Sequence, residues 1–130
     1  MNTQAKIFLG VIIFLILGTI VTVLVRGGGN TESKEAGKYD TFAICLKEKG
    51  AVFYGTFWCS HCKAQKEMFG SSARLLPYIE CSTADGRGQT NECKEKKIEG
   101  YPTWEFQDGT RLSGEVPLEK LAQKTSCELP

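Results

Sequence analysis

The stretch Ala51-Val52-Phe53-Tyr54-Gly55-Thr56-Phe57-Trp58-Cys59-Ser60-His61-Cys62-Lys63-Ala64-Gln65-Lys66-Glu67-Met68-Phe69-Gly70 changes character at its middle. Residues 51–57 carry no charge and are rich in apolar and aromatic side chains, the pattern of a strand buried on both faces. Residues 63–69 form a good helical stretch that Gly70 ends. At the junction stand Cys59 and Cys62, and a Cys-x-x-Cys near a β-α-β pattern is a redox signature. Disulfide exchange needs an exposed thiolate and a second thiol close enough to resolve the mixed disulfide. Cys59 is expected at the start of the helix, where unpaired N–H groups and the helix dipole favour negative charge. Cys62 is expected behind it, placed to attack. A static disulfide or half of a metal site are the competing readings of the same spacing.

His61 is the single histidine of the chain. As a solvated helix-start residue it has no role. As a donor or partial positive charge beside Cys59 it stabilises the thiolate, and such settings bring a Cys pKa to roughly 3.5–7.5. A stabilised thiolate favours the dithiol form and makes the disulfide a better oxidant.

Working outward, Asp40 is expected to cap a helix whose apolar face carries Phe42, Cys45 and Leu46, with Gly50 at its end. Pro77–Cys81 reads as a short strand, residues 82–90 as a loop, and Asn91 as the cap of a short helix running to Ile98. Thr103–Gln107 alternates as a strand, and Asp108-Gly109 is a hairpin turn that returns through residues 111–114. Pro117 suits the first turn of a last helix with Leu118, Leu121, Ala122 and Thr125 on its inner face. The expected order is α, β-α-β-α, β-β-α.

The N-terminal part differs. From Ile7 to Val25 no residue is charged, a length within the roughly 17–25 residues that cross a bilayer as a helix. The run exceeds the h-region of a signal peptide and lacks an Ala-x-Ala pattern after it. Residues 7–25 are therefore expected to be an uncleaved transmembrane anchor, residues 1–6 a cytoplasmic N-terminus, residues 26–38 a flexible linker and residues 39–130 the domain. Lys6 favours this orientation and Arg26 weakens it. All six cysteines, at 45, 59, 62, 81, 93 and 127, lie in the domain, which points to an oxidising compartment outside the cytoplasm. The expected location is thus the cell membrane, single-pass, with the domain extracytoplasmic. A net charge of +1 gives no case for nucleic acid, and no cofactor or metal is called for.

The chain resembles one family in particular. The carriers are Tyr54-Gly55, Trp58-Cys59-x-His61-Cys62, Gln65-Lys66, Phe69-Gly70, Tyr78-x-Glu80-Cys81, Cys93 and Gly100-Tyr101-Pro102-Thr103-Trp104. They are similar to the thioredoxin-like domain fused to, or partnered with, bacterial and plastid vitamin K epoxide reductase homologues. The resemblance runs from about Tyr39 to Ala122. It implies an α/β thioredoxin-like fold, a central mixed sheet flanked by helices. It also implies a DsbA-like oxidant that hands its disulfide to exported cysteine-containing proteins. Reoxidation would come from a separate, quinone-linked membrane protein of the vitamin K epoxide reductase type.

In thioredoxin-like folds a cis-proline faces the Cys-x-x-Cys, so Tyr101-Pro102 is expected there, with Trp58, to meet a client chain. The resemblance also implies a second disulfide, Cys81–Cys93, either a staple or a relay. Cys45 and Cys127 then remain to pair by elimination. Two departures stand out: Ser60 replaces the proline of Cys-Pro-His-Cys, and Phe53 occupies the place of an acid six residues before the first cysteine. A tethered reductase or isomerase, a zinc module built on Cys59, Cys62, Cys81 and Cys93, and a statically stapled interaction module are the alternatives.

Overall fold

A charge-free strand needs neighbours on both edges, and the computed structural model, which describes residues 2–4, 7, 9–16 and 36–130, supplies them. Strand β1 (Val52–Gly55) lies between β2 (Tyr78–Glu80) and β3 (Thr103–Glu105) in a sheet of order β2-β1-β3-β4, where β4 is Arg111–Ser113. β1 and β2 are parallel, with Phe53 opposite Tyr78 and Gly55 opposite Glu80. Parallel neighbours require a crossover, and helix α2 (Ser60–Met68) with the 3-10 turn Gly70–Leu75 makes it. β3 and β4 run antiparallel to their neighbours, joined by the turn at Gly109, whose φ of +77° suits glycine.

Phe53 and Trp104 are cross-strand partners and stack at 4.8 Å. Around them pack Phe42 and Leu46 from α1 (Asp40–Glu48), Phe69 at the end of α2, and Leu118 and Leu121 from α4 (Leu118–Thr125). A second, smaller cluster unites Tyr54, Cys81, Cys93 and Ile98, the last two from α3 (Asn91–Glu95) and the turn after it. A four-stranded mixed sheet flanked by helices fits a thioredoxin-like fold.

Two helix ends differ from the sequence expectation. Asp40 is the first helical residue, not the cap; Tyr39 holds the cap position without a side-chain bond. The Asp40 carboxylate instead pairs with Arg74 at 2.6 Å, tying α1 to the 3-10 turn. The helix expected to reach Ile98 stops at Glu95, because Lys97 adopts a left-handed φ of +52°.

The chain divides into two units, Met1–Lys34 and Glu35–Pro130. In the first, residues 9–16 are helical. The expected anchor, 7–25, and most of the expected linker, 26–38, extend beyond the described residues; among those, no helix is long and apolar enough to cross a membrane.

Candidate active site

Cys59 occupies the N-cap of α2, with extended backbone (φ −79°, ψ 117°). In place of the usual capping oxygen its sulfur accepts the Cys62 backbone N–H, at 3.3 Å. A sulfur there feels the unpaired N–H groups and the positive end of the helix dipole. The Tyr101-Pro102 peptide is cis, and it presents the Tyr101 carbonyl oxygen to the Cys59 thiol at 3.7 Å. The loop before β3 thus brings the residue-101 backbone to the sulfur, as an edge against which an extended chain can lie.

The two thiols occupy opposite environments. Cys59 is half-exposed, whereas Cys62 is 1% exposed. Burial, and next the hydrogen bond with Cys59, push the Cys62 thiol from an ordinary 9.0 up to about 12. The arrangement fits an exposed sulfur that exchanges and a buried one that resolves. Alkylation provides a check. Iodoacetamide at pH 8 is expected to modify Cys59 of the reduced protein and spare Cys62, which becomes reactive only as the pH approaches 12. Equal labelling of both in the folded protein at pH 8 would contradict this geometry.

His61 lies on the exposed side of the helix start, and its Nδ1 is 2.7 Å from Glu115 Oε1, in the loop before α4. Glu115 was not legible as a partner, since it is an isolated acid 54 residues away. Trp58 donates its indole N–H to Ser82 Oγ at 3.0 Å and meets the Tyr101 ring edge-on at 6.2 Å. Gln89 donates to the Tyr101 hydroxyl at 2.7 Å and to the Ile98 carbonyl at 2.6 Å. Trp58, Tyr101 and the turn at Gly86–Gln89 border a cleft of about 200 Å³. The structure therefore brings Trp58, Cys59, Tyr101 and Pro102 together, and adds the 82–90 loop to them.

Cys81 is bonded to Cys93, both fully buried, and Cys45 is bonded to Cys127. Cys81 and Cys93 are thus not free to serve as metal ligands beside Cys59 and Cys62. Phe53, at the place of the missing acid, is fully buried against Trp104.

The fold fits a thioredoxin-like domain, and the chain is similar to proteins named for thiol–disulfide chemistry. The chain is 46% identical over 88 residues to thiol-disulfide oxidoreductase LTO1 of Arabidopsis thaliana, a match covering 65% of this chain and 23% of that protein. It is 32% identical over 94 residues to protein disulfide-isomerase A2 of Mus musculus, covering 66% and 17%. A protein disulfide-isomerase of Arthroderma benhamiae is 32% identical over 92 residues, covering 65% and 17%. The chain spans less than a quarter of the length of these relatives. No family model matches it.

Proposed function

We propose that this chain is a membrane-tethered thiol–disulfide oxidoreductase that donates a Cys59–Cys62 disulfide to exported proteins. The observation that carries the reading is the pairing of an exposed N-cap sulfur, set against the Tyr101 carbonyl, with a buried resolving thiol. In the oxidised protein a client thiolate attacks the Cys59 sulfur. The Cys59–Cys62 bond breaks, a client–Cys59 disulfide forms, and Cys62 leaves with the electron pair and takes up a proton. A second client thiolate then attacks the client sulfur of that mixed disulfide. The client gains its disulfide and Cys59 departs as a thiolate, favoured at the helix N-terminus. The client chain lies along the residue 101–102 backbone, with Trp58 beside it.

The two remaining disulfides suit an oxidising compartment, and the charge-free run from Ile7 to Val25 suits a single-pass anchor with a cytoplasmic N-terminus. Recharging falls to a quinone-linked membrane protein of the vitamin K epoxide reductase type. The Cys59 thiolate attacks that partner's disulfide, Cys62 resolves the mixed disulfide, and two electrons move on to the partner. His61 favours the oxidising direction, since a donor at the helix start stabilises the dithiol form. The isomerase names of two relatives favour a second reading, in which the same pair reshuffles client disulfides.

A Cys62→Ala chain, made in cells that export disulfide-bonded proteins, is expected to accumulate mixed disulfides on Cys59 with clients and with the recharging protein. If none form, the oxidoreductase reading fails. The reduction potential of the Cys59–Cys62 pair separates the directions: a value near about −120 mV supports the oxidase, one near about −180 mV the isomerase and one near about −270 mV a reductase.

A further inference from the structure

A buried thiol that must ionise to attack, and be reprotonated when it leaves, needs a group to take its proton. On β1 that group is absent, since Phe53 is packed into the core. The neighbouring strand carries one. The parallel register sets Tyr78 opposite Phe53 and Glu80 opposite Gly55. Side chains alternate along strands, so Phe53, Gly55, Tyr78 and Glu80 leave the same face of the sheet. That face meets Cys62: a Cβ added to Gly55 would lie 3.0 Å from Cys62 Sγ and 2.9 Å from Tyr78 Cε2. Glycine is what lets the sulfur and the tyrosine ring close on the strand from either side.

The Tyr78 hydroxyl donates to Glu80 Oε2 at 2.7 Å. Glu80 Oε1 accepts the backbone N–H of Ser82 at 2.9 Å and of Phe57 at 3.2 Å. The carboxylate is therefore fastened to the turn that carries Trp58 and Cys59. From α2, the Lys66 ammonium sits 3.4 Å above the Tyr78 ring, one turn beyond Cys62. Cys59 and Lys66 on α2, Tyr78 and Glu80 on β2 and the Thr56 backbone before α2 form the polar surroundings of Cys62. Burial, and then Glu80 as acceptor, hold the Tyr78 hydroxyl protonated well above its ordinary range.

We infer that Glu80, reached through the Tyr78 hydroxyl, is the proton-accepting group for Cys62, taking over on β2 the task of an acid missing from β1. The inference rests on the oxidoreductase reading above. When a partner is joined to Cys59, the Cys62 S–H proton passes through a bridging water to the Tyr78 oxygen as the Tyr78 proton moves to Glu80. The Cys62 thiolate attacks Cys59 Sγ, the Cys59–Cys62 bond forms, and the partner sulfur leaves with the electron pair of the broken bond. In the donating direction Cys62 leaves as thiolate and the proton returns from Glu80.

The test mixes the reduced full chain with glutathione disulfide, quenches with acid, and separates by mass the Cys59–glutathione intermediate from the Cys59–Cys62 product. Glu80→Gln and Tyr78→Phe are expected to leave formation of the intermediate unchanged. Both are expected to slow its resolution roughly 10²-fold at pH 7, the low end of general-base contributions. The deficit should shrink as the pH rises and Cys62, whose thiol burial holds above its ordinary range, ionises unaided, and Glu80→Asp should recover part of the rate. Tyr78→Phe keeps the ring, so a packing role alone leaves its rate intact. Resolution at the native rate with the native pH profile in both variants would overturn the inference. Failure of the oxidoreductase reading looks different: the unaltered chain would then form no intermediate and no Cys59–Cys62 bond.

Discussion

Replacing Cys45 and Cys127 together by alanine is expected to lower the unfolding free energy by about 4 kcal/mol. The bond links residues 82 apart, nearly the full span of the unit Glu35–Pro130. Cross-linking removes chain entropy from the unfolded state, more for a longer loop, from about 3 kcal/mol for 15 residues to about 4.7 for 100. In the folded state the bond joins α1 to the segment after α4, and Ser126 turns that segment back through a left-handed φ of +57°. Cys127 is also part of the main core, 5% exposed. The loss is large against the roughly 5–15 kcal/mol that separates folded from unfolded domains. Cys81–Cys93 spans only 12 residues, so removing that pair is expected to cost less, about 3 kcal/mol or below. Urea unfolding of each double variant without reductant measures both losses. A fall below about 1 kcal/mol for the Cys45/Cys127 variant would show that the unfolded chain is already constrained without the bond.

What was legible in the sequence was what local chemistry dictates. The charge-free 51–57 run sets a central strand, Cys59 sits at a helix start, and Gly50 at φ +72° closes α1. Asp108-Gly109 turns β3 into β4, and Leu118, Leu121 and Thr125 face inward from α4. These depend on residues within a few positions of one another. The 3-10 turn Gly70–Leu75 is not legible because Ser71, Ser72 and Arg74 carry no periodic signal; its place follows from distant partners, Tyr39 donating to Ser72 and Arg74 to Asp40. Asp40 itself had the residue type of a cap, but the ion pair with Arg74 holds it one position further into the helix. At the site, Cys59, Cys62 and Pro102 announce themselves by type and spacing. Glu115 and Glu80 do not, because what makes them matter is contact with His61 across 54 residues and with Phe57 across 23. A lone carboxylate in a sequence says nothing about which backbone it will face.

Gln65 is the sharpest case, and substituting it by leucine is expected to destabilise the protein by about 3 kcal/mol or more, although leucine is apolar and of similar size. In the sequence it lies between Ala64 and Lys66 in the helical stretch 63–69, with no signal that sets it apart from its charged neighbours. In the structure it has no exposure at all. Cys62, Gln65 and Phe69 recur at helical spacing on the inner face of α2 and its end, and the core has enclosed a polar side chain there. Its Oε1 accepts the Val116 N–H at 2.7 Å and the Trp104 indole N–H at 3.4 Å, while its Nε2 donates to the Val116 carbonyl at 3.0 Å. Leucine fills the space and leaves those groups without partners; a buried polar group stranded in this way costs about 1–3 kcal/mol. The longer bond to Trp104 contributes least. Lys63→Leu on the same helix supplies the comparison: its pair with Glu67 is exposed, at 3.9 Å, and its loss should change stability by no more than about 0.5 kcal/mol. The consequence of Gln65→Leu reaches the site as well. Val116 follows Glu115, whose carboxylate holds the His61 ring at the start of α2. Once the two hydrogen bonds to Gln65 are gone, the 114–117 segment is fixed less tightly and the His61–Glu115 contact should loosen. Imidazole resonances of the single histidine report that directly. Gln65→Leu should shift and broaden them while Lys63→Leu leaves them in place; a Gln65→Leu protein with native stability and an unmoved His61 signal would refute both halves of the argument.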